Sequence, residues 1–211
     1  MNFGVVAIVG TGLIGGSIGL GLKERGLATT IIGVGYRKVS INKALKINAI
    51  DEGTLKVEDA VKQADIIILA TSVNLIPEYA KKIIPLMKKS AILTDVGSTK
   101  DYIVSQVNNE IKSTCDGEKP NFIGAHPLAG SEQRGIESAR PDLFEGSVCV
   151  LTPTSLNSKK SITRLSNMWK ALGAKISVLT PSKHDEVLAL VSHLPHFVAS
   201  SLAGVIDEKH W

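Results

Sequence analysis

A doubly wound α/β fold with a parallel sheet is the fold class this sequence predicts, and three observations predict it. Apolar runs that suit strands alternate with longer amphipathic stretches that suit helices along about the first 180 residues. Those runs are continuously apolar rather than alternating, as expected of strands covered on both faces. The first of them, Val5 to Val9, passes directly into a glycine-rich turn and then into a helix.

That turn carries Gly10, Gly12 and Gly15 in the spacing G-x-G-x-x-G. Gly10 permits a tight exit from the strand, Gly12 lets the backbone approach a pyrophosphate, and Gly15 lets helix and strand pack closely. The free N–H groups and positive dipole end of the following helix favour phosphate. Thr11, Leu13 and Ile14 complete the loop, so residues 10–15 are candidates for holding a dinucleotide. A membrane-spanning reading also has to be weighed, because Phe3 to Leu22 carries no charge. Seven glycines in those twenty residues make a poor helix, and Met1-Asn2 supplies no basic flank for a signal peptide.

The second strand is expected at Thr30 to Val34. An acidic residue at its end would accept from a ribose 2′-hydroxyl. Here Gly35 stands at that point, followed by Tyr36, Arg37, Lys38 and Ser40. A missing carboxylate beside cations and a hydroxyl favours a 2′-phosphate, hence NADP, with NAD as the alternative. Helices are expected at Asn42 to Asn48 and from Val57. The buried strand Asp65 to Ala70 then ends in Thr71 and Ser72, small polar residues where a cofactor can lie. Pro77 opens the next helix, and further strands are expected at Ala91 to Asp95, Phe122 to Ala125, Val148 to Leu151 and Lys175 to Leu179, with a helix at Lys160 to Leu172. Ser113 to Lys119 reads as an exposed loop.

From Ser182 the pattern changes. Asp185 to Ile206 reads as one helical stretch, kinked at Pro195, with Leu188, Val191, Leu194, Val198, Leu202 and Val205 on one apolar stripe. Nothing in the sequence supplies a partner for that stripe, so a second subunit or further chain is expected to cover it.

Composition narrows the function classes. The net charge is +4, from 24 basic and 20 acidic residues, without like-charge blocks or aromatic–basic interleaving, which argues against nucleic acid. Apolar residues make up 44%, enough for a large core, while aromatics are only 4%, so aliphatic packing must dominate. Cys115 and Cys149 form no C-x-x-C pair and read as reduced thiols of a cytoplasmic protein.

Three polar groups fall at or after expected strand ends, the edge where open α/β sheets bind ligands. Ser98 and Lys100 follow the Asp95 strand. His126, Ser131 and Glu132 follow the Phe122 strand. His193 and His196 lie three apart on the last helix. Each has a plainer reading: a helix cap for Ser98, a turn for His126-Pro127, an amphipathic face for the two histidines. Asp185, His193 and His196 could be misread as metal ligands, but His193 and His196 have no third ligand with convincing spacing, so no metal is expected.

The segments GTGLIGGS (10–17), DVGSTK (95–100), GAHPLAGSE (124–132) and SHLPH (192–196), in this order, resemble the prephenate/arogenate (cyclohexadienyl) dehydrogenase family of tyrosine biosynthesis. The resemblance covers nearly the whole chain. It implies a Rossmann-type nucleotide domain over 1–180 and, over 181–211, the first helix of an all-α dimerisation domain, as in a truncated member forming a homodimer. It further implies that His126 accepts a hydrogen bond from the ring 4-hydroxyl as hydride leaves C4, with Ser98 assisting. Ser131, Glu132, His193 and His196 would then shape the substrate pocket. The family's substrate-binding arginine lies in the helical region beyond this sequence. A β-hydroxyacid or imine-reducing dehydrogenase shares the glycine loop, but such enzymes rely on a helical lysine where this chain presents His193 and His196. A non-catalytic dinucleotide sensor would not need the polar cluster of Ser98, His126 and His196.

Overall fold

The computed structural model describes residues 1–114, 120–130, 133 and 135–210, the last five by backbone alone. Its strands are β1 Val5–Val9, β2 Thr30–Val34, β3 Glu52–Thr54, β4 Ile66–Leu69, β5 Ile92–Asp95, β6 Asn121–Pro127, β7 Val148–Thr152 and β8 Lys175–Val178. They form one sheet in the order β3-β2-β1-β4-β5-β6-β7-β8. The first six are parallel, and the order reverses between β1 and β4, the switch point at which such sheets bind ligands.

Helices cover both faces: α1 Leu13–Glu24, α2 Lys38–Lys46, α3 Val57–Val61, α4 Ile76–Ile83, α5 Asp101–Thr114 and α6 Lys159–Ala171. The strands alternate between two cores. Val6, Ile8, Ile66 and Ile68 face α1, α2 and α6, around the buried Trp169. Ala7, Val9, Ile67 and Leu69 face α3, α4 and α5. Phe3 to Leu22, the uncharged run, is thus a strand, turn and helix inside this fold.

The sheet departs from all-parallel at one place. β7 is antiparallel to β6, with His126 opposite Val150, and β8 is parallel to β7. Between β6 and β7 the described chain contains only a short 3-10 turn, Ile136–Ser138, and no crossover helix. The chain therefore re-enters at the edge it left: Leu128 N donates to Val148 O at 2.7 Å. Strand β3 was not foreseen, because Glu-Gly-Thr is short and polar and lies at the sheet's edge. Helix α1 opens at Leu13, directly after Gly12. Helix α2 starts at Lys38, four residues before Asn42, with Arg37 in the cap position making no side-chain cap bond that a sequence could advertise.

After β8 come α7 Pro181–Leu188, a π turn Ala189–His193, and α8 Leu194–His210. Thr180 caps α7, its hydroxyl accepting from Lys183 N at 3.2 Å, and Pro181 occupies the first turn where no N–H is needed. The break expected at Pro195 is the π turn just before it: proline lacks the N–H that a continuous helix would use there. Leu188 is buried, but Val191, Leu194, Leu202 and Val205 are each more than half exposed. Pro181–Val205 is also long and apolar enough to cross a membrane by length and composition alone.

Candidate active site

The carboxyl edge of the sheet carries two cavities. One, of about 540 Å³, lies at the ends of β1, β2 and β4. Gly10, Thr11, Gly12, Tyr36, Arg37, Ser40, Thr71 and Ser72 line it, whereas Leu13, Ile14, Gly15 and Lys38 do not. Leu13 and Ile14 instead pack against the core.

The glycines divide as their spacing implies. Gly10 has φ +101°, a left-handed conformation open to glycine. A side chain on Gly15 would collide with the Gly10 carbonyl, so Gly15 is needed for close packing. A Cβ on Gly12 would meet no protein atom within 4 Å and would stand in the cavity itself. The hydroxyl oxygens of Thr11 and Thr71 on this wall are buried without a hydrogen-bond partner among the described residues. Open space over Gly12 and the two unpaired hydroxyls fit a dinucleotide's phosphates and ribose. At the far end, the Arg37 guanidinium lies 4.5 Å from the Tyr36 ring centroid. Lys43, which the sequence did not single out, lines the same end and pairs with Glu137 across the opening.

The second cavity, of about 920 Å³, lies at the ends of β5 and β6. Ser98, His126, His193 and His196, distant in sequence, all line it. Ser131 and Glu132 lie outside the described residues.

A fully buried ion pair builds the β5 end: Lys100 Nζ donates to Asp95 Oδ2, and neither side chain is exposed. The same carboxylate accepts from Gly97 N at 2.8 Å and from Ala125 N at 3.3 Å, tying the turn after β5 to β6. Burial pushes the Asp95 carboxyl up, while the Lys100 ammonium and these N–H groups pull against it. A Cβ on Gly124 would lie 2.5 Å from the Thr152 hydroxyl and 3.0–3.1 Å from Val104 and the stem of this lysine.

His126 projects from β6. Its Nδ1 is 2.9 Å from Nε2 of His184, a fully buried residue on α7. His184 Nδ1 in turn is 2.7 Å from Asp185 Oδ1. Neither of these two figured among the sequence's catalytic or binding candidates. The only local signal was a His-Asp pair in the first turns of a capped helix, and its partner lies 58 residues away. Burial, with the His184 ring and the Lys100 and His193 charges, pushes the His126 pKa down from 6.5 to about 3. Nearby Cys149, on β7, is buried and free, and burial pushes its thiol up, so it is not a nucleophile. Cys115 lies outside the described residues. No group of three metal-ligating side chains occurs among the described residues.

Fold and cavities together define a Rossmann-type dinucleotide-binding protein with an imidazole-lined second site beside the nucleotide cradle. The chain belongs to the prephenate dehydrogenase family: the family's nucleotide-binding domain matches residues 18–178 and its dimerization domain matches 180–210. A prephenate dehydrogenase of Bacillus subtilis is 34% identical over 201 residues, covering 93% of this chain and 52% of its own length. The chain thus spans about half of that relative. The crystal structure of an Aquifex aeolicus prephenate dehydrogenase with hydroxyphenyl propionate and NAD+ superimposes with a TM-score of 0.89 at 34% identity, covering 100% of this chain and 72% of that one. A Synechocystis arogenate dehydrogenase gives 0.84 at 34% identity, covering 95% and 68%.

The depressed His126 pKa makes a stability prediction. Above about 6.5 folded and unfolded chains both hold this ring neutral, and its contribution is fully present. As pH falls toward about 3, the unfolded chain takes up a proton that the native ring refuses, so stability is lost. Urea denaturation between about pH 7 and pH 4 is expected to show this fall, with a shallower one in His126→Asn. An equal slope in both proteins would place the proton uptake elsewhere.

Proposed function

We propose that the protein is a nicotinamide-dependent dehydrogenase that oxidises and decarboxylates prephenate or arogenate. The observation that carries this reading is the placing of His126, a neutral imidazole, in one cavity with Ser98, His193 and His196 beside the dinucleotide cradle. The activities for which the similar proteins are named support it.

A bound nicotinamide supplies the acceptor for the hydride that leaves ring C4. The chain's own task is to orient the ring and take the proton of the 4-hydroxyl, which His126 can accept and Ser98 can help to orient. Loss of the ring carboxylate as CO2 then restores aromaticity and makes the reaction irreversible. His193 and His196, with Ser131 and Glu132, are assigned to the substrate pocket. A free buried thiol in Cys149 suits a reducing, cytoplasmic compartment.

Replacing His126 by Asn in the full-length protein keeps a polar side chain and removes the base. A loss of about 10²–10⁴-fold in kcat is expected, with dinucleotide affinity unchanged because the phosphates are assigned to the cradle of Gly10, Thr11 and Gly12. An equal loss of dinucleotide affinity would make His126 structural.

NADP is the proposed cofactor, with Gly10, Thr11, Gly12, Thr71 and Ser72 around its phosphates and ribose, and Tyr36, Arg37 and Ser40 at the 2′-phosphate. Lys38 can assist only from outside the cavity wall. The Ile41 side chain closes to 2.9 Å on a Cβ at Gly35, so adding a carboxylate there would disturb packing. Arg37→Met is the cleaner probe. A charged hydrogen bond of about 1.5–3 kcal/mol implies that NADP binding weakens roughly tenfold or more, with NAD unaffected. Calorimetry showing equal losses for both cofactors would reject the assignment.

The helical segment from 181 onward is assigned as the start of a dimerisation domain, supported by the family match over 180–210. Its polar residues Ser192, His193 and His196 line the cavity with His126, an arrangement suited to water rather than lipid. The full-length protein is expected to sediment as a dimer, and Leu194→Glu with Leu202→Glu to shift it toward monomer. An unshifted dimer would place the interface elsewhere.

A further inference from the structure

His126 meets a second network that its own chemistry does not explain. Its Nδ1 is 2.9 Å from His184 Nε2, the rings meeting edge to face at 60° with centroids 5.1 Å apart. His184 has no exposed surface, and its Nδ1 is 2.7 Å from Asp185 Oδ1. Asp185 is itself pinned. Its Oδ1 accepts from Lys100 N at 2.7 Å and its Oδ2 from Asp101 N at 2.9 Å, so it caps the first turn of α5. Burial works against ionisation of Asp185, but the Asp101 N–H, the His184 ring and the Lys100 N–H outweigh it and hold the carboxyl below its ordinary range.

An ionised carboxylate only accepts, so His184 Nδ1 must donate. With one proton on each ring, His184 Nε2 then presents a lone pair and His126 Nδ1 must donate to it. That leaves Nε2 of His126 unprotonated in the cavity. We propose that His184 and Asp185 are a positioning pair that fixes His126 in the Nδ1–H tautomer, with Nε2 free to accept the substrate's hydroxyl proton.

The pair also answers a problem that burial creates. When Nε2 gains a proton, burial, the His184 ring, Lys100 and His193 disfavour the new charge, and Asp185 is the anion that opposes them through His184. The Nδ1 proton can be shared with His184 Nε2, moving positive charge toward the Asp185 carboxylate. No bond other than N–H is made or broken, and the proton count is conserved. The structural alternative is that His184 only fills space between α7 and β6.

The inference rests on the proposed dehydrogenase reading, and three measurements on the full-length protein separate the two. Without turnover, 15N NMR of the His126 ring is expected to show Nδ1 protonated and Nε2 bare. In steady state, His184→Leu is expected to lower kcat by about 10²-fold or more with KM and dinucleotide affinity within about threefold. His184→Gln keeps an oxygen that can accept from Nδ1–H and is expected to recover at least about tenfold of that loss, with an altered pH profile because amide cannot share the proton. A bare Nδ1 in the wild type, wild-type kcat and pH profile in His184→Leu, or a Gln variant no better than Leu would each overturn the proposal. Should His184→Leu fail to fold, the Gln variant and the wild-type tautomer still decide. A wild type inactive on both prephenate and arogenate with both cofactors would overturn the dehydrogenase reading instead, and the tautomer measurement would stand.

Discussion

The carboxyl edge of this sheet depends on one buried ion pair. Lys100 and Asp95 have no exposed side-chain surface, and between them they organise everything that follows β5. The Asp95 carboxylate holds Gly97 in the turn and Ala125 in the neighbouring strand, so the loop bearing Ser98 and the strand bearing His126 share one anchor. Taking charges out of water is expensive, and removing one partner of a buried pair costs about 3–5 kcal/mol. Hydrophobic residues could fill this space more cheaply. What they could not do is fix the loop bearing Ser98 and the strand bearing His126 by directed bonds, as a preorganised cavity wall requires. Gly97 follows from the same constraint: a Cβ there would lie 2.9 Å from Asp95 Oδ2.

A second anchor stands beside the first and reaches it through the backbone of Lys100. That residue donates its N–H to Asp185 of α7 and its ammonium to Asp95 of β5. One lysine therefore joins the sheet to the helix that follows it, and His126 sits where the two networks converge. Burial and nearby positive charge keep its imidazole neutral, while the His184 ring gives its inner nitrogen a partner. Neutrality at the outer nitrogen is what a proton acceptor needs.

The fold was legible in the sequence wherever the signal was local. Continuous β-branched runs announced β1, β2, β4 and β5, and the glycine spacing announced the turn after β1. The reversal at β7 was not, because direction depends on the path of residues 128–147, which carries no periodicity. Strand β3 exists because Glu52–Thr54 can extend an edge, a tertiary fact in a three-residue segment. Within the site, His126 and Ser98 could be found because they follow strand ends. His184 could not, because a buried histidine on a short helix looks like any core residue until its partner 58 positions away is seen. The ordinary imidazole value of about 6.5, taken as the starting expectation for His126, gives way to about 3 for the same reason: burial is invisible in the sequence.

The last helix ties the site to whatever lies against it. Ser192, His193, His196, Phe197 and Ser200 recur at helical spacing on the face that lines the larger cavity. Val191, Leu194, Val198, Leu202 and Val205 recur at the same period on another face, and there they stand 47–67% exposed. On the side of His193 and His196, where Phe197 also stands exposed, such a helix meets only a cavity, which offers little packing. Full burial of a Val or Leu side chain contributes roughly 1.5–3 kcal/mol, so covering five of them would far exceed what the polar side can supply. The π turn loosens the join to α7, the one part of this segment whose Leu188 and His184 are buried. Whatever covers the apolar stripe would therefore also steady the wall that carries His193 and His196.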